Sequence, residues 1–204
     1  MRIRRRRGAG VLVAIAAIAA ALGSTSLVAS LTASSPSSAP AAVDRSRDGQ
    51  RDGLGAAGGA LPDGTTAFDD DLAGVANLDP ALLRALRRAT SAAAADAVTL
   101  VVDSGWRSRQ YQEHLLHEAV AKYGSQAQAA RWVATPNRSA HVSGDAVDIG
   151  PADATPWLSA HGAAYGLCQI YANEPWHYEL RPDAIAHGCP PTYADPTHDP
   201  RMQR

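Results

Sequence analysis

The sequence predicts an α+β fold, in which a central and mainly antiparallel sheet is flanked by helices. Helical and strand patterns are mixed along residues 67–198, without the regular strand–helix–strand rhythm of a parallel sheet. No internal repeat is visible, and ~130 residues are enough to bury about two-thirds of the surface of the unfolded chain. We therefore expect one folded domain over residues 67–198, followed by a short tail at 199–204.

Four segments carry helix signals. We expect helices over residues 80–96, 109–123, 125–133 and 156–165. Asp79 is a suitable N-cap for the first helix, because proline follows it at the first helical position. Ser108 begins the second helix, and Gly124 ends it in the left-handed conformation that glycine adopts readily. The buried stripe of the second helix is expected to consist of Tyr111, Leu115, Ala119, Val120 and Tyr123.

Four other segments have strand patterns. They cover residues 98–102, 145–149, 167–171 and 176–180. The first segment is a continuous apolar run rich in β-branched residues, which is typical of a buried strand. The second segment has the in-and-out pattern of a strand with two different faces.

The N-terminal 33 residues resemble an export signal. Five arginines occur in the first seven residues, and no charged side chain follows until Asp44. An apolar run extends from Val11 to Leu22. This order is typical of a signal peptide, and an uncleaved membrane anchor is the alternative; both place the rest of the chain outside the cytoplasm. Residues 34–66 are rich in Ala, Ser, Pro and Gly, which predicts a flexible linker.

Charge and cysteine content narrow the possible partners. Five of the 19 Lys and Arg residues lie in the predicted leader, so the exported part has 14 basic and 20 acidic side chains. An acidic domain without a basic stripe binds polyanions poorly, so we expect no nucleic-acid partner. We also expect a monomer.

Cys168 and Cys189 lack the close spacing of zinc-binding pairs, and in an exported protein two cysteines most simply form a disulfide.

Two motifs supply the side chains of a catalytic metal site. The segment Ser139–Asp148 contains His141 and a terminal aspartate, and Glu174-Pro-Trp-His177 adds a histidine and a glutamate. A catalytic zinc site takes three ligands of this kind, leaves one position open for water, and needs a nearby carboxylate as a base. The candidate ligands are therefore His141, Asp148 and His177, with Glu174 as the candidate base.

Each of the two motifs contributes to a metal site only if a structural condition is met. Asp148 lies between apolar neighbours in a predicted strand, where a carboxylate must bind a metal or be paired; a salt bridge to an arginine is the alternative. Glu174 and His177 are three residues apart, so they share one site only if the chain bends near Pro175 or the glutamate approaches from a loop. Trp176 is expected to form a wall of the pocket, and a place in the core is the alternative.

A third motif, Ser104-Gly-Trp-Arg-Ser108, lies between a predicted strand and a predicted helix. Such junctions commonly carry ligand-binding groups. The guanidinium of Arg107 has the fork geometry that holds a carboxylate, and Gln112 lies on the first turns of the following helix. A surface position without a role in binding is the alternative for Arg107.

Together these motifs resemble those of the VanY-type D-alanyl-D-alanine carboxypeptidases, which are zinc peptidases of the bacterial cell wall. The resemblance covers residues 98–182 and rests on S-G-W-R-S with Gln112 five residues after its arginine, S-x-H-x-x-G-x-A-x-D, and E-P-W-H. It implies a small α+β domain with a central antiparallel sheet. It implies one zinc ion on His141, Asp148 and His177, and Glu174 as the catalytic base. It implies substrate contacts for Arg107, Gln112 and Ser139, and charge stabilisation in the transition state by Arg107.

The hypothesis is therefore a zinc-dependent D,D-carboxypeptidase that acts on peptidoglycan stem peptides at the cell wall. An L,D-carboxypeptidase, a D,D-dipeptidase or an endopeptidase would use the same chemistry, because the loops around the pocket decide which bond is cleaved. An iron(II) oxygenase also binds its metal through two histidines and a carboxylate, but its close His-x-Asp spacing is absent here. A non-catalytic wall-binding module would have no need of Glu174.

Overall fold

The computed structural model describes residues 53–203, so the predicted leader and the linker up to residue 52 lie outside the described residues. Its helices are α1 (Ala73–Ala76), α2 (Pro80–Ala95), α3 (Arg109–Tyr123), α4 (Gln126–Ala129), α5 (Ala140–Ser143), α6 (Thr155–His161) and α7 (Ala184–His187). Its strands are β1 (Val101–Ser104), β2 (Ala146–Gly150), β3 (Leu167–Gln169) and β4 (His177–Leu180). Short 3-10 helices cover Ala56–Gly58, Gly162–Tyr165, Pro196–His198 and Pro200–Met202.

The four strands form one sheet in the order β1-β2-β4-β3, and every neighbouring pair is antiparallel. This arrangement confirms the predicted α+β class with an antiparallel sheet. The run 98–102 joins the sheet only from Val101 onward. Strand β2 lies inside the sheet and is buried on both faces, so neither of its faces is exposed to solvent.

Helix α2 covers one face of the sheet and forms the main core with it. The buried residues of this core include Leu82, Leu86, Val102, Val147, Ile149 and Tyr178. Burying one side chain of this size stabilises a fold by about 1.5–3 kcal/mol. Because successive side chains of a strand point to opposite faces, the residues that alternate with these point away from α2. Asp148, His177 and Glu179 are on that second face.

The caps of the long helices agree with the sequence, but the buried stripe of α3 agrees only in part. Asp79 accepts hydrogen bonds from two backbone amides, and Gly124 ends α3 with a left-handed φ of 82°. The fully buried residues of α3 are Gln112, Leu116 and Ala119, so of the predicted stripe only Ala119 is fully buried, while Val120 and Tyr123 are partly buried and pack against the same cluster. The stripe is shifted because α3 packs against α4 and a cavity, where Leu115 forms part of the wall, rather than on the main core.

The folded domain begins earlier than the sequence indicated. Residues 53–66 were assigned to the flexible linker, but in the structure they pack against β1 and the loop after it. The amide of Ser108 donates to the Gly58 carbonyl at 2.8 Å, and the amide of Val102 donates to the Thr65 carbonyl at 2.8 Å. Composition alone did not reveal these contacts, because they use the backbone rather than apolar side chains.

The C-terminal end also belongs to the domain. Asp199 is fully buried, although the predicted tail began at this residue. Cys168 and Cys189 form a disulfide with a Cα–Cα distance of 5.5 Å, which confirms the predicted pairing. Within residues 53–203, none of the helices combines the length and the apolar character needed to cross a membrane.

Candidate metal centre

His141 lies on the short helix α5, which ends at Gly144 with a φ of 81°. Its Nδ1 is 2.8 Å from the carbonyl oxygen of Gly105. Because a carbonyl only accepts, Nδ1 carries the proton and Nε2 presents its lone pair. A side chain at position 105 is excluded, since a Cβ there would lie 2.1 Å from the carbonyl oxygen of Gly74. Burial and the Arg107 charge lower the pKa of His141, which keeps its imidazole neutral.

Asp148 and His177 face each other across the sheet. They are register partners on β2 and β4, and His177 Nδ1 is 3.2 Å from Asp148 Oδ1. His141 Nε2 is 3.3 Å from His177 Nδ1 and 3.4 Å from Asp148 Oδ1. One donor atom from each residue thus lies within 4.8 Å of the other two, and the side chains are largely buried. The structure brings the three candidate ligands to one point.

The second nitrogen of His177 faces a buried carboxylate. Its Nε2 is 3.3 Å from Glu179 Oε1, and the glutamate is 1% exposed. Burial lowers the pKa of His177, but the hydrogen bonds with Asp148 and Glu179 outweigh it and raise the pKa to about 9. The His177 imidazole therefore carries a proton on both of its nitrogens while no cation is bound.

Glu174 lies beside the cluster because the chain turns at Pro175, where the amide of His177 donates to the Glu174 carbonyl at 3.1 Å. This turn is the bend that the sequence required. The peptide bond before Pro175 is trans, since the cis bond among residues 53–203 is Gly150–Pro151. Glu174 Oε2 is 3.8 Å from His177 Nδ1, and Oε1 is buried without a hydrogen-bond partner among the described residues. Burial raises the pKa of Glu174 to about 7.

Arg107 contacts Asp148, one of the three candidate ligands. Its Nη2 donates to Asp148 Oδ2 at 2.7 Å, and its Nε donates to Ser104 Oγ at 2.7 Å. Gln112 supports it by accepting from Nη1 at 3.3 Å. Burial raises the pKa of Asp148, but the two histidines and Arg107 outweigh it and hold that pKa well below its usual range. The salt bridge, which was the alternative to a metal for Asp148 in the sequence, is present on Oδ2, while Oδ1 faces the two histidines.

The three candidate ligands, Glu174, Arg107 and Gln112 line one cavity of about 550 Å³. Ser139 is buried on its wall, and Trp176 also lines it while remaining 39% exposed, so Trp176 is not a core residue. The cavity thus contains every predicted ligand, base and substrate contact. Asp145 is outside it, where it accepts a hydrogen bond from Ser143 Oγ.

Glu179 was missed in the sequence. It stands two residues after His177, so it shares a strand face with the histidine, and it lies between Tyr178 and Leu180. A carboxylate between apolar neighbours in a strand must be paired, which is the signal that identified Asp148. The Gly105 carbonyl carries no such signal, because its role depends on backbone geometry alone.

Comparison with known proteins agrees with this geometry. A model of the VanY family, D-alanyl-D-alanine carboxypeptidase, matches residues 75–183 and so spans all the candidate ligands. The chain belongs to the VanY family. A D-alanyl-D-alanine carboxypeptidase of Enterococcus faecalis (strain ATCC 700802 / V583) is 33% identical over 112 residues, which cover 43% of this chain and 42% of the relative. The matched region therefore spans less than half the length of that relative.

Solved structures show the same relationship. VanYB in complex with D-Alanine-D-Alanine is 29% identical, with a TM-score of 0.50 over 54% of this chain and 74% of that chain. The LdcB LD-carboxypeptidase is 24% identical, with a TM-score of 0.50 over 61% of this chain and 69% of that chain. The second likeness shows a shared fold.

Proposed function

We propose that this protein is a zinc-dependent D,D-carboxypeptidase, which hydrolyses the terminal D-Ala–D-Ala amide of peptidoglycan stem peptides. The observation that carries this proposal is the convergence of His141, Asp148 and His177 beside a buried glutamate whose Oε1 lacks a partner. Membership of the VanY family and the likeness to VanYB in complex with D-Alanine-D-Alanine support the substrate class.

The donor set fits zinc. Two imidazole nitrogens and one carboxylate oxygen are typical of catalytic zinc sites, which keep a further position open. The second nitrogen of each histidine is already engaged, by the Gly105 carbonyl and by Glu179. Such contacts orient ligand histidines and favour metal binding. When bound, the ion would polarise the scissile carbonyl and lower the pKa of water at the site.

Glu174 is the proposed base. Its carboxylate accepts a proton from the attacking water and passes that proton to the leaving amine. Burial suits this role, because a raised pKa makes the carboxylate a stronger base than an exposed glutamate. Its position beside His177 Nδ1 places the carboxylate next to the point where the three ligands meet.

Arg107 and its neighbours are the proposed substrate contacts. Arg107 fixes Asp148 Oδ2, and its charge at the cavity wall stabilises the oxyanion that develops on the scissile carbonyl. Gln112, Ser139 and Trp176 line the same cavity and contact the bound peptide. The disulfide favours a place outside the cytoplasm, where disulfides persist.

The test is a set of variants that separates the roles. Glu174→Gln should abolish hydrolysis of a pentapeptide stem and keep zinc, since Glu174 is a base and not a ligand. His141→Ala should lose both zinc and activity, and Arg107→Ala should still bind zinc, because all three ligands remain, but with weaker affinity and impaired catalysis, because Asp148 loses its partner. Glu113→Gln changes an exposed glutamate of α3 and serves as the matched control. A fully active Glu174→Gln protein would refute the assignment of the base.

A further inference from the structure

The C-terminal segment, residues 195–202, lies beyond the family match but packs against the candidate metal centre. It consists of two 3-10 helices, and a buried aspartate caps each of them. The side chain of Asp195 accepts from the Thr197 amide at 3.0 Å, and that of Asp199 accepts from the Arg201 amide at 2.9 Å. These caps stabilise the two short helices of the segment.

Arg201 connects this segment to strand β4. Its Nη1 donates to Glu179 Oε2 at 2.7 Å, and its Nη2 donates to Glu179 Oε1 at 3.2 Å. Its Nε donates to both oxygens of Asp199, at 2.9 and 3.1 Å. One guanidinium thus bridges two carboxylates that are 1% and 0% exposed, and Arg181 Nη2 adds a second arginine contact to Glu179 Oε2 at 2.7 Å. Arginine suits this place because its planar fork binds a carboxylate at two points.

Glu179 connects Arg201 to the candidate ligand His177. Its Oε1 is the partner of His177 Nε2, which donates because both carboxylate oxygens already accept from arginine and so act as acceptors. Arg201 and Arg181 both donate to the Glu179 carboxylate, so the carboxylate is fixed in place as an acceptor. With the proton on Nε2, the lone pair of the neutral imidazole is on Nδ1, which faces Asp148 and His141.

A second contact links the C-terminal segment to the His177 imidazole through the ring of Tyr171. Asp199 Oδ2 accepts a hydrogen bond from the Tyr171 hydroxyl at 3.1 Å. The Tyr171 ring lies with its centroid 5.1 Å from that of His177. The edge of the His177 ring is therefore held by Glu179 and its face by Tyr171, and both of these side chains are held by the C-terminal segment.

We propose that Arg201 is a positioning residue of the metal centre, which holds Glu179 so that His177 presents Nδ1 to the cation. The C-terminal segment is then a working part of the site and not a tail. This inference rests on the metal-binding part of the proposed function. It does not depend on which peptide is the substrate.

The experiment measures zinc dissociation constants of the full chain by competition with a chromophoric chelator. The proteins are the wild type, Arg201→Ala, Arg201→Lys and Arg88→Ala. Arg88 is the matched control, because it is an exposed arginine on α2 whose side chain bonds to the Arg84 carbonyl. A second readout is the NMR signal of the His177 ring nitrogens in the zinc-loaded protein, which reports whether Nδ1 or Nε2 binds the metal.

Arg201→Ala should weaken zinc binding by about 10–100-fold, the usual effect of removing a group that orients a ligand. Arg201→Lys should fall between this value and the wild type, because it keeps the charge but not the fork. Arg88→Ala should bind zinc like the wild type. In the zinc-loaded proteins, His177 should bind through Nδ1 alone in the wild type and the control, and through a mixture of its two nitrogens in Arg201→Ala.

A zinc constant within about twofold of the wild type for folded Arg201→Ala would overturn the inference, even if the variant unfolds at a lower urea concentration. If Arg201→Ala does not fold, Arg201→Lys decides by the same criterion. A wild type that fails to bind zinc would instead refute the metal-binding part of the proposed function. The two failures are therefore distinguishable.

Discussion

Replacing Glu174 by glutamine should stabilise the metal-free protein while it abolishes activity. Burial raises the pKa of this carboxyl from 4.5 to about 7, so ionising it costs free energy that folding must supply. One pKa unit corresponds to about 1.4 kcal/mol, so the rise amounts to about 3 kcal/mol above both pKa values. The buried amide of the variant also lacks a partner, so we expect a net gain of about 1–3 kcal/mol.

The sign of the effect follows from the two pKa values. The folded state keeps the Glu174 proton to higher pH than the unfolded state, so the wild type loses stability as pH rises from 4.5 to about 7. Below 4.5 both states are protonated and the penalty vanishes. The variant should therefore match the wild type near this lower pH and exceed it at about pH 8.

The assay is urea unfolding of chelator-treated protein, monitored by tryptophan fluorescence at the two pH values. At about pH 8 the gain should also appear as a melting temperature higher by about 3–10 °C. Glu113→Gln is the control for the loss of one exposed carboxylate. A variant no more stable than the wild type at the higher pH, or equally stabilised at both pH values, would refute the reasoning.

Two further predictions concern the metal and the disulfide. Because a ligand imidazole must be neutral and His177 holds its proton up to about pH 9 in the metal-free protein, zinc affinity should rise by about tenfold per pH unit below that value. Competition titrations at several pH values measure this slope, and a flat dependence would contradict it. Replacing Cys168 and Cys189 by alanine opens a loop with a sequence separation of 21 residues. It should cost about 3 kcal/mol and lower the melting temperature by about 6–12 °C, whereas a shift under about 3 °C would contradict the expected stabilisation.

The parts of the fold that depend on local signals were predictable from the sequence. Asp79 and Gly124 act as caps within one turn of their helix, so their roles are visible in a few neighbouring residues. The candidate ligands were also predictable, because a buried carboxylate such as Asp148 must find partners wherever it lies in the fold. The spacing of His177 from Glu174 required a bend, and the structure has it at Pro175.

The parts that depend on long-range contacts were not predictable. Nothing near Arg201 in the sequence indicates that it meets Glu179, 22 residues earlier. Residues 53–66 contain the small residues of a linker, but their backbone pairs with β1 and the loop after it. The stripe of α3 was predicted only in part for the same reason, since its neighbours are a cavity and α4 rather than the main core. Such partners are set by tertiary packing and not by local propensity.

The most direct test of the central claim is mass spectrometry of a pentapeptide stem that has been incubated with the purified protein. The account predicts the loss of a single terminal D-alanine, abolished by a chelator and restored by zinc. Undiminished cleavage in the presence of the chelator would contradict the metal-dependent mechanism. No cleavage of pentapeptide, tetrapeptide or cross-linked stems by the zinc-loaded protein would contradict a peptidase function and favour a wall-binding module.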